Sequence, residues 1–171
     1  MQNQNIDRAV EILKSGYPIG KWQFFVDQQI DGHIGSILYM GKRYDEAERY
    51  LKNSFKKNWV ARAMLGVLYY KRKKLDEMIE VFDEAVVANK KESLLWNLYA
   101  YCLWKSGRRD KAIDVLNRAI DAGIEDERTE RNLKALKNNR KMKMRGWNMM
   151  WYQFHLDRPP QQRQQVQFRS R

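Results

Sequence analysis

The hydrophobic positions of this chain recur on two scales. Within each apolar stretch they fall three and four residues apart, the spacing of one face of an α-helix. Between stretches the whole pattern returns after 31 and then 34 residues. Gly35, Gly66 and Ala100 share a column in the middle of three apolar runs. Ile34, Leu65 and Tyr99 precede them, and Leu38, Tyr69 and Leu103 follow three residues later. Ala47, Met78 and Ala112 stand twelve residues on, Leu51, Phe82 and Leu116 sixteen, and Ser54, Ala85 and Ala119 nineteen. Each unit reads as two antiparallel helices. The small residue in the first helix lets the second approach closely. Residues at i, i+4 and i+7, such as Ala47, Leu51 and Ser54, form the second helix's facing stripe. Gly41 and Gly107 are suited to end a helix in the left-handed conformation. Asp45, Asp76 and Asp110 then place negative charge in the first turn of the next helix.

The same pattern predicts a first helix over 6–15, ended by Gly16, Pro18 and Gly20, and a long helix over 21–40. Further helices are predicted over 44–57, 59–72, 75–88, 92–106, 109–122 and 126–140, with Asn58 and Asp126 as N-caps. In the last of these only Leu133 and Leu136 form an apolar pair, which suits a helix whose outer face meets water. The organisation predicted is an N-terminal helical extension (1–20), three repeats (21–125), a capping helix (126–140), an aromatic and basic segment docked on the repeats (141–160), and a disordered tip (161–171).

Trp96, Tyr99, Ala100, Ala112, Leu116 and Ala119, with Leu65, Gly66, Tyr69, Phe82 and Ala85, resemble the tetratricopeptide repeat (TPR) family over roughly residues 28–125. The family's late Pro is absent, with Trp59, Lys90 and Ile124 in its place, and the first unit is three residues short. The resemblance implies an all-α fold, a right-handed α-solenoid of helix-turn-helix repeats closed by a capping helix. It also implies a concave groove, lined by the first helix of each unit, that holds a protein or peptide partner. Carried over by repeat position, the groove residues are Gln29, Ser36, Tyr39 and Met40, then Val60, Ala63, Val67, Tyr70 and Lys71, then Asn97, Tyr101, Trp104 and Lys105. Tyr39, Tyr70 and Trp104 occupy equivalent positions and are expected to form an aromatic row beside Lys71 and Lys105. Gly32 and Ala63 stand where some relatives carry the Lys and Asn that clamp a chaperone's terminal carboxylate, so no binding of that kind is expected.

Charge changes the picture at one end only. Residues 1–127 carry a net +2, whereas residues 128–171 carry +10 of the chain's +12. Arg140, Lys141, Lys143, Arg145, Arg158, Arg163, Arg169 and Arg171 therefore raise nucleic acid as a second kind of partner, through phosphate contacts. Among these cations lies a dense apolar cluster: Trp147, Met149, Met150, Trp151, Tyr152, Phe154 and Leu156. Left exposed it would promote aggregation. It is expected to fold back on the repeats, the alternatives being an anchor for a partner or a second copy, or a membrane interface.

Catalytic chemistry is not indicated. His33 and His155 are far apart and have no Cys or carboxylate cluster at metal-ligand spacing, so no metal is expected. Cys102 sits in an apolar run and reads as a core residue, and no glycine-rich phosphate loop is present. No cofactor is expected. The run over 94–104 is too short to cross a bilayer, and the N-terminus lacks a signal-peptide pattern. The leading expectation is an intracellular, non-enzymatic protein-interaction scaffold. The alternatives are a nucleic-acid-associated protein and a membrane-associated assembly factor with its anchor elsewhere.

Overall fold

Left-handed turns cut the chain into antiparallel helix pairs at a constant place in each unit. The computed structural model describes residues 2–20 and 26–160. The expected start of the long helix at 21–25 and the expected disorder of the tip at 161–171 lie outside the described residues. An extension of α1 (Gln2–Lys14) and α2 (Tyr17–Gly20) packs on α3 (Val26–Met40). Three hairpins follow. They are α3 with α4 (Tyr44–Asn53), α5 (Trp59–Lys71) with α6 (Leu75–Ala88), and α7 (Ser93–Lys105) with α8 (Arg109–Asp121). Then comes α9 (Glu127–Lys137). The first helices stack on one another in the order α3, α5, α7, α9, giving an α-solenoid with no strand among the described residues.

The turn after each first helix has one geometry. Lys42, Lys73, Gly107 and Asn139 all adopt positive φ, between 56° and 78°. At each, two backbone N–H groups bond back to the end of the helix. At the first, Lys42 donates to Tyr39 O and Arg43 to Leu38 O, both at 2.9 Å. At the last, Asn139 donates to Leu136 O and Arg140 to Ala135 O. This double bond-back satisfies carbonyls that the helix end leaves free. The left-handed residue of the first turn is thus Lys42 rather than the expected Gly41. Gly41 is small for another reason, since a Cβ there would strike Ile6.

Asn139 also identifies α9 as the first helix of a fourth, half-built unit. Counting back from it, Asn132 occupies the column of Gly35, Gly66 and Ala100. Two helices stop three or four residues short of their expected ends. The α9 helix ends at Lys137, and α4 ends at Asn53, where Ser54 turns extended and donates its hydroxyl to Leu51 O at 2.7 Å. That early exit accompanies the shortened first unit. Asn58 and Asp126 cap their helices, accepting from the N–H groups of Ala61 and Arg128.

The core runs along the seam between first and second helices. Leu51 fills the gap over Gly35 and Phe82 the gap over Gly66. Phe82 is fully buried and stacks on Tyr99 of the next unit at 5.0 Å, so the aromatic columns tie one hairpin to the next.

Candidate functional site

The half-built fourth unit decides what happens on the face of the first helices. Residues 140–157 do not form a second helix. They cross α9 and run back along the face presented by α9, α7 and α3. Asn132, nearly fully buried, accepts the Lys143 N–H at 2.7 Å and donates to Asn97 Oδ1 at 2.9 Å. Asn97 donates in turn to Thr129 Oγ1 and Ser93 O. Buried amides of this kind are costly unless paired, and here every step of the network is bonded.

Further along, Trp147 lies beneath the Arg128 guanidinium at 4.6 Å, and Arg128 also donates to Gly146 O. Arg128 is held in turn by Asp126, whose carboxyl stays well below the usual carboxylate range because of that guanidinium and the Ser93 hydroxyl. Trp151, in the short helix α10 (Met149–Tyr152), meets Tyr101 edge-on at 4.9 Å. Phe154 is fully buried, and its carbonyl accepts the Tyr39 hydroxyl at 2.7 Å. His155 stacks on Tyr39 at 5.4 Å, with Nδ1 3.0 Å from the Tyr44 hydroxyl. Of the tail residues singled out by sequence, Trp147, Trp151 and Phe154 are buried and Tyr152 is half-buried.

The groove positions divide accordingly. Tyr39, Val67 and Asn97 are closed to a partner in this structure, each at 0 % exposure. Tyr39 lies under the returning segment, Val67 in the interhelical core, and Asn97 in the amide network. The expected aromatic row is not what forms: Tyr39 makes its ring contacts with Tyr44 and His155, and Trp104 with Tyr101. Ser36 bonds its own helix at Gly32 O. Gln29 and Met40 are exposed, at the far end of the stack. Tyr70, Lys71 and Lys105 stay together, around a cavity of about 500 Å³ that Lys73, Leu75, Met78 and Ser106 complete. Tyr101 and Trp104 are half-buried, with the Lys105 ammonium over the Trp104 ring at 4.9 Å.

Lys71 is the electrostatic peculiarity of this face. It is half-buried against the rings of Tyr39 and Tyr44, and its ammonium has no carboxylate within ion-pair distance among the described residues. Burial pushes its pKa down to about 8, with the Lys42 charge adding to the shift. The nearby His155 is also pushed down, by burial first and then by Lys71. The sign follows from linkage. The folded chain releases the Lys71 proton near pH 8 while the unfolded chain keeps it to about 10.4, so stability rises with pH through that window. Tyrosines whose pKa burial raises, Tyr101 to about 12 among them, oppose this above roughly pH 10. The variant Lys71→Met should therefore melt higher than the parent at pH 7, and the difference should shrink by pH 9.5. A melting difference that does not change with pH contradicts the buried charge.

Among the described residues, no group of three or more His, Cys, Asp or Glu is placed to hold a metal ion, and no helix is long and apolar enough to cross a membrane. Cys102 is fully buried, and burial raises its thiol far above the range in which a thiolate forms.

Comparison with known proteins agrees with the repeat geometry. The tetratricopeptide repeat family model matches residues 34–93 and 64–127, more than half of the chain, and the chain belongs to that family. Two relatives are peroxisomal targeting signal receptors. The one from Candida glabrata is 28% identical over 126 residues, covering 66% of this chain and 21% of the receptor. The one from Saccharomyces cerevisiae is 34% identical over 56 residues, covering 33% of this chain and 9% of the receptor. The chain thus matches only about a fifth or less of the length of these relatives. No solved structure gives a significant match. The repeats and these relatives support a protein-interaction scaffold.

Proposed function

We propose that the chain is a non-enzymatic scaffold that receives a protein or peptide segment on its concave side, at the cavity between Tyr70 and Lys105. The observation that carries this reading is the composition of that cavity. Leu75 and Met78 supply apolar lining and Tyr70 a ring, while Lys71, Lys73 and Lys105 bring three ammonium groups with no carboxylate within ion-pair distance among the described residues. Such a site fits a segment with an apolar anchor next to an acidic residue. The relatives are named as receptors for a targeting signal, which supports a segment of another protein as the ligand class and speaks for an intracellular setting.

The test compares affinity capture by the intact chain with capture by Tyr70→Ala/Trp104→Ala. Both rings are half-buried, so each variant is first checked for an unchanged helical signal. Removing two anchoring rings should weaken a groove partner about thirtyfold or more, since a single such truncation costs about 2 kcal/mol. Partners retained equally by a folded variant overturn the groove reading.

A further inference from the structure

The larger of these two cavities lies at the C-terminal end of the stack. It opens between α9 and the returning residues 140–146, holds about 690 Å³, and reaches Tyr101 and Trp151 at its inner end. Two rows of cations wall it. Arg131 and Lys134 lie three residues apart and so share a face of α9. Opposite them the chain over 140–144 is not helical and alternates as a strand would. Met142 and Met144 are buried while Lys141 and Lys143 are exposed, with Arg140 before them.

Several arginines of the repeats are neutralised by carboxylates, and these five cations are not. Arg43 pairs with Asp7 and Glu46, Arg72 with Asp45 and Glu48, and Arg118 with Asp83. Across the described residues no carboxylate comes within 4.0 Å of Arg131, Lys134, Arg140, Lys141 or Lys143. Residues 21–25 and 161–171 contain no Asp or Glu side chain that might do so. Arg128 and Arg145 also line the cavity: Arg128 pairs with Asp126 and bonds Gly146 O of the returning segment, and Arg145 pairs within that segment with Asp157, the one carboxylate among the lining residues. The remaining charges, all on exposed side chains, gather around one cleft and give it a positive potential.

We propose that this cleft binds an extended acidic segment of a partner protein, with alternate Asp or Glu side chains facing the α9 row and the Lys141/Lys143 row. The site is separate from the Tyr70–Lys105 cavity and does not rest on the groove reading. A single-stranded nucleic acid is the other polyanion to weigh. Sequence-tolerant binding of single strands rests on exposed aromatic rings for base stacking. Among the described residues, the exposed large apolar side chains are Ile12, Met40, Val87, Ile120, Met149 and Met150, all aliphatic. Trp147 and Trp151 are buried in holding the segment to the solenoid, so the observations favour the peptide.

The experiment measures fluorescence anisotropy of a labelled peptide of alternating Glu and Ser against the full chain in rising salt. Binding should be detected at low salt and fall steeply as screening increases. Arg131→Glu/Lys134→Glu should weaken it at least about tenfold without shifting the melting temperature, because both side chains are exposed. Lys73→Glu/Lys105→Glu, in the other cavity, should change it less than about twofold. No binding by the intact chain overturns the proposal. So does a loss confined to, or equal in, the Lys73/Lys105 variant. Tighter binding of an oligothymidylate of the same formal charge overturns the peptide assignment in favour of nucleic acid.

Discussion

Trp151→Ala should lower the melting temperature by about 10 °C. Its indole is almost fully buried, edge-on to Tyr101, with Phe154 buried a turn further along. Truncating a buried Trp costs about 3–5 kcal/mol, and a chain of this length loses about 2–4 °C per kcal/mol. There is a ceiling, because the segment can leave instead of tolerating a hole. The loss cannot exceed the free energy that holds residues 140–157 in place. A chain ended at Asn139 measures that ceiling, so its melting temperature should be as low as that of Trp151→Ala or lower. The truncated chain also uncovers the Tyr39 hydroxyl, which the structure satisfies through Phe154 O, and the Asn132 side-chain oxygen Oδ1, which the Lys143 N–H satisfies. It should therefore bind an environment-sensitive apolar dye that the parent does not. Melting of both variants within about 2 °C of the parent, well below the loss set by burial, would show that the segment adds nothing to the fold.

That segment also marks where sequence reasoning stopped. The repeat columns were readable because helix packing demands them. A small residue must face Leu51 or Phe82, and residues at i, i+4 and i+7 must share a stripe. The left-handed turns were readable at Gly107 but not at Lys42 or Lys73, because lysine carries no mark of positive φ. The apolar cluster at 147–156 announced that it needed burial, yet composition cannot name the surface that buries it. One further signal lies in the repeat register. Asn132 falls in the column of Gly35, Gly66 and Ala100, where a bulky polar side chain keeps a partner helix out and offers hydrogen bonds to a strand-like chain instead. Repeat position likewise assigned Tyr39, Val67 and Asn97 to the concave side without showing what covers them. Register specifies a direction from the helix axis. Occupancy depends on contacts more than 100 residues apart, such as Tyr39 with Phe154, a separation of 115.

The column itself can be tested at Gly66, where a side chain should be as damaging as the loss of Trp151. A Cβ at this position would sit 2.6–2.8 Å from three atoms of the Phe82 ring. The ring has nowhere to retreat, because Tyr99 is stacked on it at 5.0 Å with the planes within 10°. Gly66→Ala gains about 1 kcal/mol of helix propensity, which offsets part of the overpacking cost of about 1–3 kcal/mol. Gly66→Val adds two methyl groups to the collision and recovers less propensity, so it should lower the melting temperature by about 10 °C. Gly107→Ala separates this effect from ordinary glycine strain. At φ +78° with open space around it, that change costs only the left-handed penalty of about 1–2 kcal/mol. Phe82→Leu shortens the opposing side chain, so Gly66→Val/Phe82→Leu should melt higher than the sum of the single losses predicts, as residues in contact do. Strict additivity would mean that Gly66 and Phe82 do not share the seam and that the small-residue column has some other cause.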